Sequence, residues 1–295
     1  MALTRRDRPE MLPLSFAQQR LWFLNRLEEA GSGAGTAYNM PLALRLSGEL
    51  DVPSLQAALG DVADRHESLR TVFPQSEGVA CQRVVEGVAA RPQLVVVEAT
   101  EDGLPSLVAE FSGRGFDLSV DLPWRVWLLT VSPVESVLLI VAHHIAVDGW
   151  SLDVLGRDLG VAYAARRQGR APGWEPLPVQ YADYSLWQRE VLGDLDDPDS
   201  LISAQLGYWR EALGGAPQEL TLPVDRPRPV EPSFRGRSVQ LDVGADVHAG
   251  LERVAQRGRA TMFMVVHAAL AVLLSRVGAG TDIPMGTPIA GRGDA

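Results

Sequence analysis

Apolar and polar positions along this chain follow two periods, and the switches between them lay out the elements. Ser15 heads a helix-period stretch running to about Leu27, with Leu21, Leu24 and Leu27 on one face. Residues 42–46 alternate as a strand does. Asp51 followed by Pro53 opens a second helix, whose Leu55, Ala58, Leu59 and Val62 form an apolar stripe. Short strands are predicted at 71–73, 81–85 and 93–98, a helix at 104–111, paired strands at 125–131 and 137–144, and a helix from Trp150 to about Gln168. Alternating strands and helices predict an α/β or α+β arrangement around a mixed sheet. Residues 169–178 hold three prolines and two glycines and read as a linker. Beyond it, 181–191 and 200–213 read as helices, the proline-rich 217–232 as an extended connection, 238–243 as a strand, 247–257 and 261–277 as helices, and 283–287 as a strand. The expected division is an N-terminal lobe (1–168), a linker (169–179) and a partial C-terminal lobe (180–295) with few strands for its helices. No repeat of fixed period is visible.

One segment concentrates the chemistry. The apolar run Val137-Leu138-Leu139-Ile140-Val141-Ala142 leads into His143-His144-Ile145-Ala146-Val147-Asp148-Gly149. Neighbouring strand residues point to opposite faces, so only one histidine can face a given cavity. Asp148-Gly149 makes a tight turn, and Trp150-Ser151 opens the next helix. A histidine at the mouth of a buried strand suits proton transfer. The same residues also read as a satisfied core pair beside a turn, and the pattern alone leaves both readings open. A metal site built from His143, His144 and Asp148 is disfavoured, because adjacent strand side chains diverge.

Composition narrows the field. A chain of 295 residues can build one large domain or two lobes. Its 46% hydrophobic and 22% charged content are those of an ordinary soluble protein. The pattern shows no apolar stretch approaching the roughly eighteen uninterrupted residues of a membrane helix, and the polar, arginine-rich residues 1–10 are no secretory signal. The single Cys81 fits a reducing cytoplasm; it reads as a small strand residue, although a Cys81–His144 nucleophile pair is conceivable. A net charge of −10, with every cation an arginine, argues against nucleic acid. Gly31 to Gly35 lacks the Lys-Ser/Thr of a phosphate-binding loop, so nucleotide binding is not expected, and Arg292-Gly293-Asp294 is read as a chance adhesion tripeptide.

Five motifs in one order then point to a family. They are Ser15-Phe16-Ala17-Gln18-Gln19-Arg20-Leu21-Trp22, Arg65-His66-Glu67-Ser68-Leu69-Arg70-Thr71-Val72-Phe73, His143 to Gly149, Tyr181-Ala182-Asp183-Tyr184-Ser185-Leu186-Trp187-Gln188, and Met285-Gly286-Thr287-Pro288-Ile289-Ala290-Gly291-Arg292. The series resembles the condensation domain of a nonribosomal peptide synthetase, from about Leu12 to the last residue. The resemblance implies a chloramphenicol-acetyltransferase-like fold, with two lobes in a V and the active histidine in a tunnel between them. Family members continue past the last motif, so it also implies a C-terminally truncated domain with an incomplete second lobe. Residues 5–10 resemble the linker that follows a carrier domain. Ala146, the run from Trp174 to Tyr181, and the stretches 196–200 and 222–227 resemble domains whose donor ends in a D-configured residue.

The activity implied is amide formation between two thioesters held on the phosphopantetheine arms of donor and acceptor carrier proteins. The resemblance implies cytoplasmic work among neighbouring synthetase modules, with no cofactor of the domain's own, no metal, no membrane and no nucleic acid. By the same resemblance His144 faces the tunnel, as general base or as the group that orients the amine. His143 and Asp148 are structural, and Arg65, or else Arg70, is the expected partner of Asp148. Gly149 is a turn glycine or an oxyanion donor through its N–H. Gln18, Arg20 and Trp22 are assigned to core packing or the tunnel floor, Trp150 and Ser151 to the tunnel or to lobe packing. Tyr181, Asp183, Tyr184 and Trp187 are assigned mainly to lobe–lobe packing, while His66, His248 and His267 are expected to be structural or exposed. Two further readings remain from the sequence: a non-catalytic fragment that binds carriers or merely folds, and an acyltransferase acting on a small diffusible alcohol or amine.

Overall fold

The structure, a computed structural model, describes residues 2–30, 35–227, 229–230 and 239–287. In chain order the elements are β1 (Leu12–Pro13), α1 (Phe16–Ala30), β2 (Asn39–Ser47), α2 (Val52–Arg65), β3 (Thr71–Val72), β4 (Gln75–Ser76), β5 (Val79–Val84), β6 (Leu94–Glu98), α3 (Leu104–Ser112), β7 (Trp124–Ser132), β8 (Glu135–His143), α4 (Gly149–Arg166), α5 (Tyr181–Leu192), α6 (Leu201–Ala212), α7 (Ala245–Gly258) and α8 (Met262–Leu274).

The main sheet has the order β2-β8-β7-β6, with β6 parallel to β7 and the other pairs antiparallel. Its two central strands are covered on both sides, which explains why they read as continuous apolar runs. Leu138, Ile140 and Ala142 of β8, with Trp124, Val126 and Leu128 of β7, pack on α2 and α4 through Leu55, Ala58, Leu59, Val62, Leu155 and Leu159. Val137, Leu139 and Val141, with Trp127 and Leu129, pack on the other side against Leu21 of α1, Leu104 and Phe111 of α3, and Phe116. This alternation carries His143 to the α1–α3 side. A smaller sheet pairs β5 with β1, β3 and β4.

Asp51 caps α2 as predicted, its side chain accepting from the Ser54 N–H at 3.1 Å. Helix α1 departs from the reading. Ser15 caps it, taking the Gln18 N–H on Oγ (3.1 Å) and donating its own N–H to Gln18 Oε1 (2.9 Å). Its buried residues are Gln18, Leu21 and Asn25, whereas Leu27 is 58% exposed. Two of these three are polar because Asn25 and Gln18 bond to a neighbouring loop and strand, a demand that hydrophobicity does not register.

The chain forms two compact units, one running to Ile202 and the other Ser203–Ile289. Helix α5, which follows the expected linker at 169–179, lies within the first unit. Tyr181 Oη lies 3.0 Å from Ser15 Oγ, the Phe16 N–H donates to Gln188 Oε1 at 3.0 Å, and Arg189 Nε donates to the Leu14 carbonyl at 2.7 Å. Within the second unit, the described residues 239–243 and 283–287 form no strand, against expectation. An extended segment becomes a strand only with a ladder partner, and none is present among the described residues. Uninterrupted apolar runs stay short of a membrane span, as expected, yet one interrupted stretch, Met262–Ala279, has the length and composition of a helix that could cross a membrane. His267, Ser275 and Arg276 interrupt the apolar run and hide it from a search for uninterrupted residues.

Candidate active site

Strand β8 ends at His143, and the two histidines separate there. His143 is 1% exposed. Its N–H donates to the Pro123 carbonyl at 2.8 Å, and its Nδ1 accepts the Ile145 N–H at 3.1 Å. Accepting at Nδ1 requires the neutral ring with its proton on Nε2. Burial, aided by the neighbouring His144, pushes its pKa down to about 4, which keeps the ring neutral.

His144 is exposed and leaves the strand, its N–H donating to the Tyr38 carbonyl at 2.9 Å. Its Nδ1 lies 2.8 Å from the Val147 carbonyl oxygen. A carbonyl can only accept, so Nδ1 carries hydrogen and the neutral ring keeps its lone pair on Nε2. The ring is thus locked as the tautomer that can accept a proton on its outward nitrogen.

Asp148 closes the turn as the N-cap of α4. Its Oδ1 accepts from the Ser151 N–H (2.9 Å) and from Ser151 Oγ (2.6 Å), and its own N–H donates to Ser151 Oγ (3.2 Å). Gly149, the first residue of α4, is exposed, and a Cβ there would meet nothing within 4 Å. First-turn amides of a helix have no intrahelical acceptor, so its N–H can serve an incoming oxygen. Trp150 beside it is 68% exposed.

The partner expected for Asp148 is engaged elsewhere. Arg65 Nε donates to Asp158 at 3.0 Å, its Nη1 donates to the Glu175 carbonyl at 2.8 Å, and its guanidinium lies 4.9 Å over Trp174. Arg70 donates to the Val85 carbonyl at 2.9 Å and approaches Glu67 at 3.6 Å. His66, expected to be structural, lies 2.8 Å from the same Asp158 oxygen. Sequence reasoning missed Asp158 and Gln180, whose side chain bridges the Arg65 carbonyl (2.9 Å) and the Glu67 N–H (3.2 Å). Asp158 is signalled only by the tertiary packing of α2 on α4, and Gln180, the N-cap of α5, only by the packing of that cap on the end of α2.

The remaining expected residues sort clearly. Gln18 is buried and donates to Gln82 Oε1 at 3.1 Å, and Trp22 Nε1 donates to the Phe73 carbonyl at 3.2 Å. Arg20 is exposed, so it does not pack the core. Asp183 is wholly buried, accepting from the Gln180 N–H (2.8 Å) and the Arg6 N–H (3.2 Å). Tyr184 lies between Tyr181 (5.4 Å) and Trp187 (5.8 Å). These α5 residues lie in the first unit. Cys81 is buried in β5 against the Pro74 carbonyl. Among the described residues no group of three His, Cys, Asp or Glu side chains could hold a metal ion. Residues 288–292 of the last motif, and Arg292-Gly293-Asp294, lie outside the described residues.

Comparison with known proteins gives a uniform answer. Residues 9–295 match the Condensation domain family. The chain is 52% identical over 293 residues to a dimodular nonribosomal peptide synthase of Bacillus subtilis, covering 99% of this chain and 12% of that protein. It is 51% identical over 295 residues to an isonitrile lipopeptide synthase of Mycobacterium tuberculosis, again covering 12% of it. Among solved structures, the X-domain from teicoplanin biosynthesis superposes with a TM-score of 0.86 at 44% identity, covering 95% of this chain and 60% of that one. A four-domain nonribosomal peptide synthetase bound to AMP and glycine gives 0.73 at 26% identity, covering 92% and 20%. The chain thus spans a small part of the synthetases it resembles, and its mixed α/β fold is the chloramphenicol-acetyltransferase-like fold of those domains. With the histidine segment, the sheet that delivers it and these likenesses in agreement, this chain belongs to the condensation-domain family of the nonribosomal peptide synthetases.

Proposed function

We propose that this chain forms a peptide bond between a donor acyl thioester and the α-amine of an acceptor aminoacyl thioester, each carried on the phosphopantetheine arm of a carrier protein. The single observation that carries the reading is His144, exposed and held by the Val147 carbonyl with its Nε2 lone pair outward. The amine nitrogen attacks the donor carbonyl carbon, a C–N bond forms, the C–S bond breaks, and the donor carrier's thiol takes the proton the amine loses. A thioester is already activated, so the chemistry calls for positioning and proton removal. An α-amine of pKa about 8 is partly neutral near neutral pH, so positioning and a weak base suffice. His144 Nε2 receives the amine N–H, and the Gly149 N–H at the start of α4 faces the developing oxyanion. A donor ending in a D-configured residue is part of the proposal, on the resemblance of Ala146 and of the run from Trp174 to Tyr181 to domains of that type.

Carrier docking finds support on α1. Arg20, Phe23 (59% exposed) and Leu27 (58% exposed) fall on one outward stripe, at spacings of three and four. An exposed cation beside two exposed apolar side chains suits an acidic helix with an apolar face. We assign this stripe to a carrier protein.

A second reading rests on a specific likeness: an X-domain 45% identical to this chain was solved in complex with OxyB. By that likeness the chain would be a docking module. Single-turnover condensation with both carriers preloaded, read by intact mass of the acceptor carrier, separates the readings. Product that disappears in His144→Ala establishes the enzyme; no product, with retained binding of a carrier or of OxyB, establishes the docking module.

A further inference from the structure

Phe116 lies outside every motif of the sequence, yet the structure spends several side chains on holding it. Asn39, the β2 residue in register with His143, donates from Nδ2 to the carbonyls of Ser112 (2.8 Å) and Arg114 (2.9 Å). Asn25 of α1 donates to the Phe116 carbonyl itself at 3.5 Å. The Arg125 guanidinium sits 4.2 Å over the Phe116 ring and is fixed by Asp121 at 2.8 Å. The ring, 2% exposed, meets His143 edge-on, with centroids 6.1 Å apart and planes at 79°.

We propose that Phe116 is a positioning residue of the condensation reaction, acting through His143 on the turn that presents His144. This rests on the function proposed above. His143 Nδ1 can accept the Ile145 N–H only while that nitrogen bears no proton. A protonated His143 would turn an N–H toward an N–H and open the segment in which the Ala146 N–H meets the His143 carbonyl and His144 Nδ1 meets the Val147 carbonyl. Phe116 supplies the dry edge that keeps the ring uncharged. The titratable and charged neighbours of His143 are His144, the phenol of Tyr38 (ring centroids 6.4 Å apart) and, beyond Phe116, Arg125 with Asp121. The neighbouring His144 disfavours charge on His143, and burial disfavours it more.

The test is Phe116→Leu in the full chain, with Phe116→Met as the volume-conserving alternative should the first fail to fold. Imidazole NMR titration would follow His143, and single-turnover condensation would be measured across pH. The expected result is a His143 pKa rising from about 4 toward its ordinary value of 6.5, with the acid limb of the rate profile moving up with it and the His144 Nδ1–H signal lost below that limb. Phe111→Leu removes a ring from the same apolar cluster, but that ring stacks on Trp127 at 4.9 Å. It is expected to lower stability and leave the profile in place. An unmoved His143 pKa in the Phe116 variants overturns the proposal, as does an equal shift in Phe111→Leu. His144→Ala runs alongside. If it still condenses, the functional reading has failed; if it is inactive while the Phe116 profile stays put, only this inference has failed.

Discussion

Asp148 and Ser151 hold each other reciprocally. The carboxylate takes both the N–H and the hydroxyl of Ser151, and the Asp148 N–H returns to the same hydroxyl, at 2.9, 2.6 and 3.2 Å. The pair starts α4 and ends the turn that carries His144, so the acidic residue of the histidine motif contributes a helix cap to this site. Replacing Asp148 by Ala removes the cap and is expected to cost about 1 kcal/mol of stability, up to roughly 2. Asp148→Asn keeps an acceptor oxygen and should retain most of the stability. Urea unfolding of the two variants checks this. Condensation surviving in Asp148→Asn would show that shape, not charge, is what the turn needs.

The neutral His143 makes stability pH-dependent in a definite direction. Its pKa in the folded chain is held at about 4, while in the unfolded chain it returns to 6.5. Above 6.5 both states are neutral and nothing is lost. As pH falls from 6.5 toward 4 the unfolded chain takes up a proton that the folded one refuses. The linkage amounts to roughly 3 kcal/mol by pH 4. His143→Asn, whose Oδ1 can take over the Ile145 N–H, should flatten this slope when urea midpoints are compared at pH 7.5, 5.5 and 4.5. A slope equal to the wild type's would assign the acid sensitivity to other groups.

The sequence shows the main sheet because β7 and β8 are buried on both faces and so read as plain apolar runs. It also separates the histidines by alternation, which places His143 with Val141 and Leu139; that β8 stops at His143, leaving His144 beyond the last rung of a strand expected to run to 144, is seen only in the structure. Other features depend on partners distant in sequence. Arg65 finds Asp158 across 93 residues, and no local pattern favours that carboxylate over Asp148. The inner face of α1 is Gln18, Leu21 and Asn25, so a search for apolar stripes selects Leu24 and Leu27 instead. Residues 239–243 and 283–287 carry strand-like patterns, yet a pattern supplies only one side of a ladder.

Asp158 is the hinge of the polar lattice between α2 and α4. It serves both Arg65 and His66 and is 7% exposed. Removing one partner of a buried pair leaves the other charge unmet, at a cost of roughly 3 kcal/mol or more. Asp158→Ala is therefore expected to lower the unfolding midpoint sharply and Asp158→Asn less so. The Arg65→Ala/Asp158→Ala double variant should be less destabilised than the sum of its parts. Strict additivity in that cycle would mean that Arg65 is held by Trp174 and the Glu175 carbonyl instead.

On α1 the assignment of Phe23 and Leu27 to a carrier surface separates binding from folding. Both side chains are more than half exposed, so Phe23→Ser and Leu27→Ser should change stability by no more than about 0.5 kcal/mol. If the stripe docks a carrier, each should weaken carrier-dependent turnover about tenfold, or roughly 1.4 kcal/mol. Reaction with a small thioester mimic that bypasses the carrier should stay the same. Arg20→Glu should act through charge, with a loss that shrinks as salt rises. The informative measurement is condensation rate against carrier concentration for each variant. A fall in affinity with an unchanged maximal rate places the stripe in docking. A fall in maximal rate alone would place α1 in the support of Gln18 and the strand beneath it, because Gln18 lies on the buried side of the same helix.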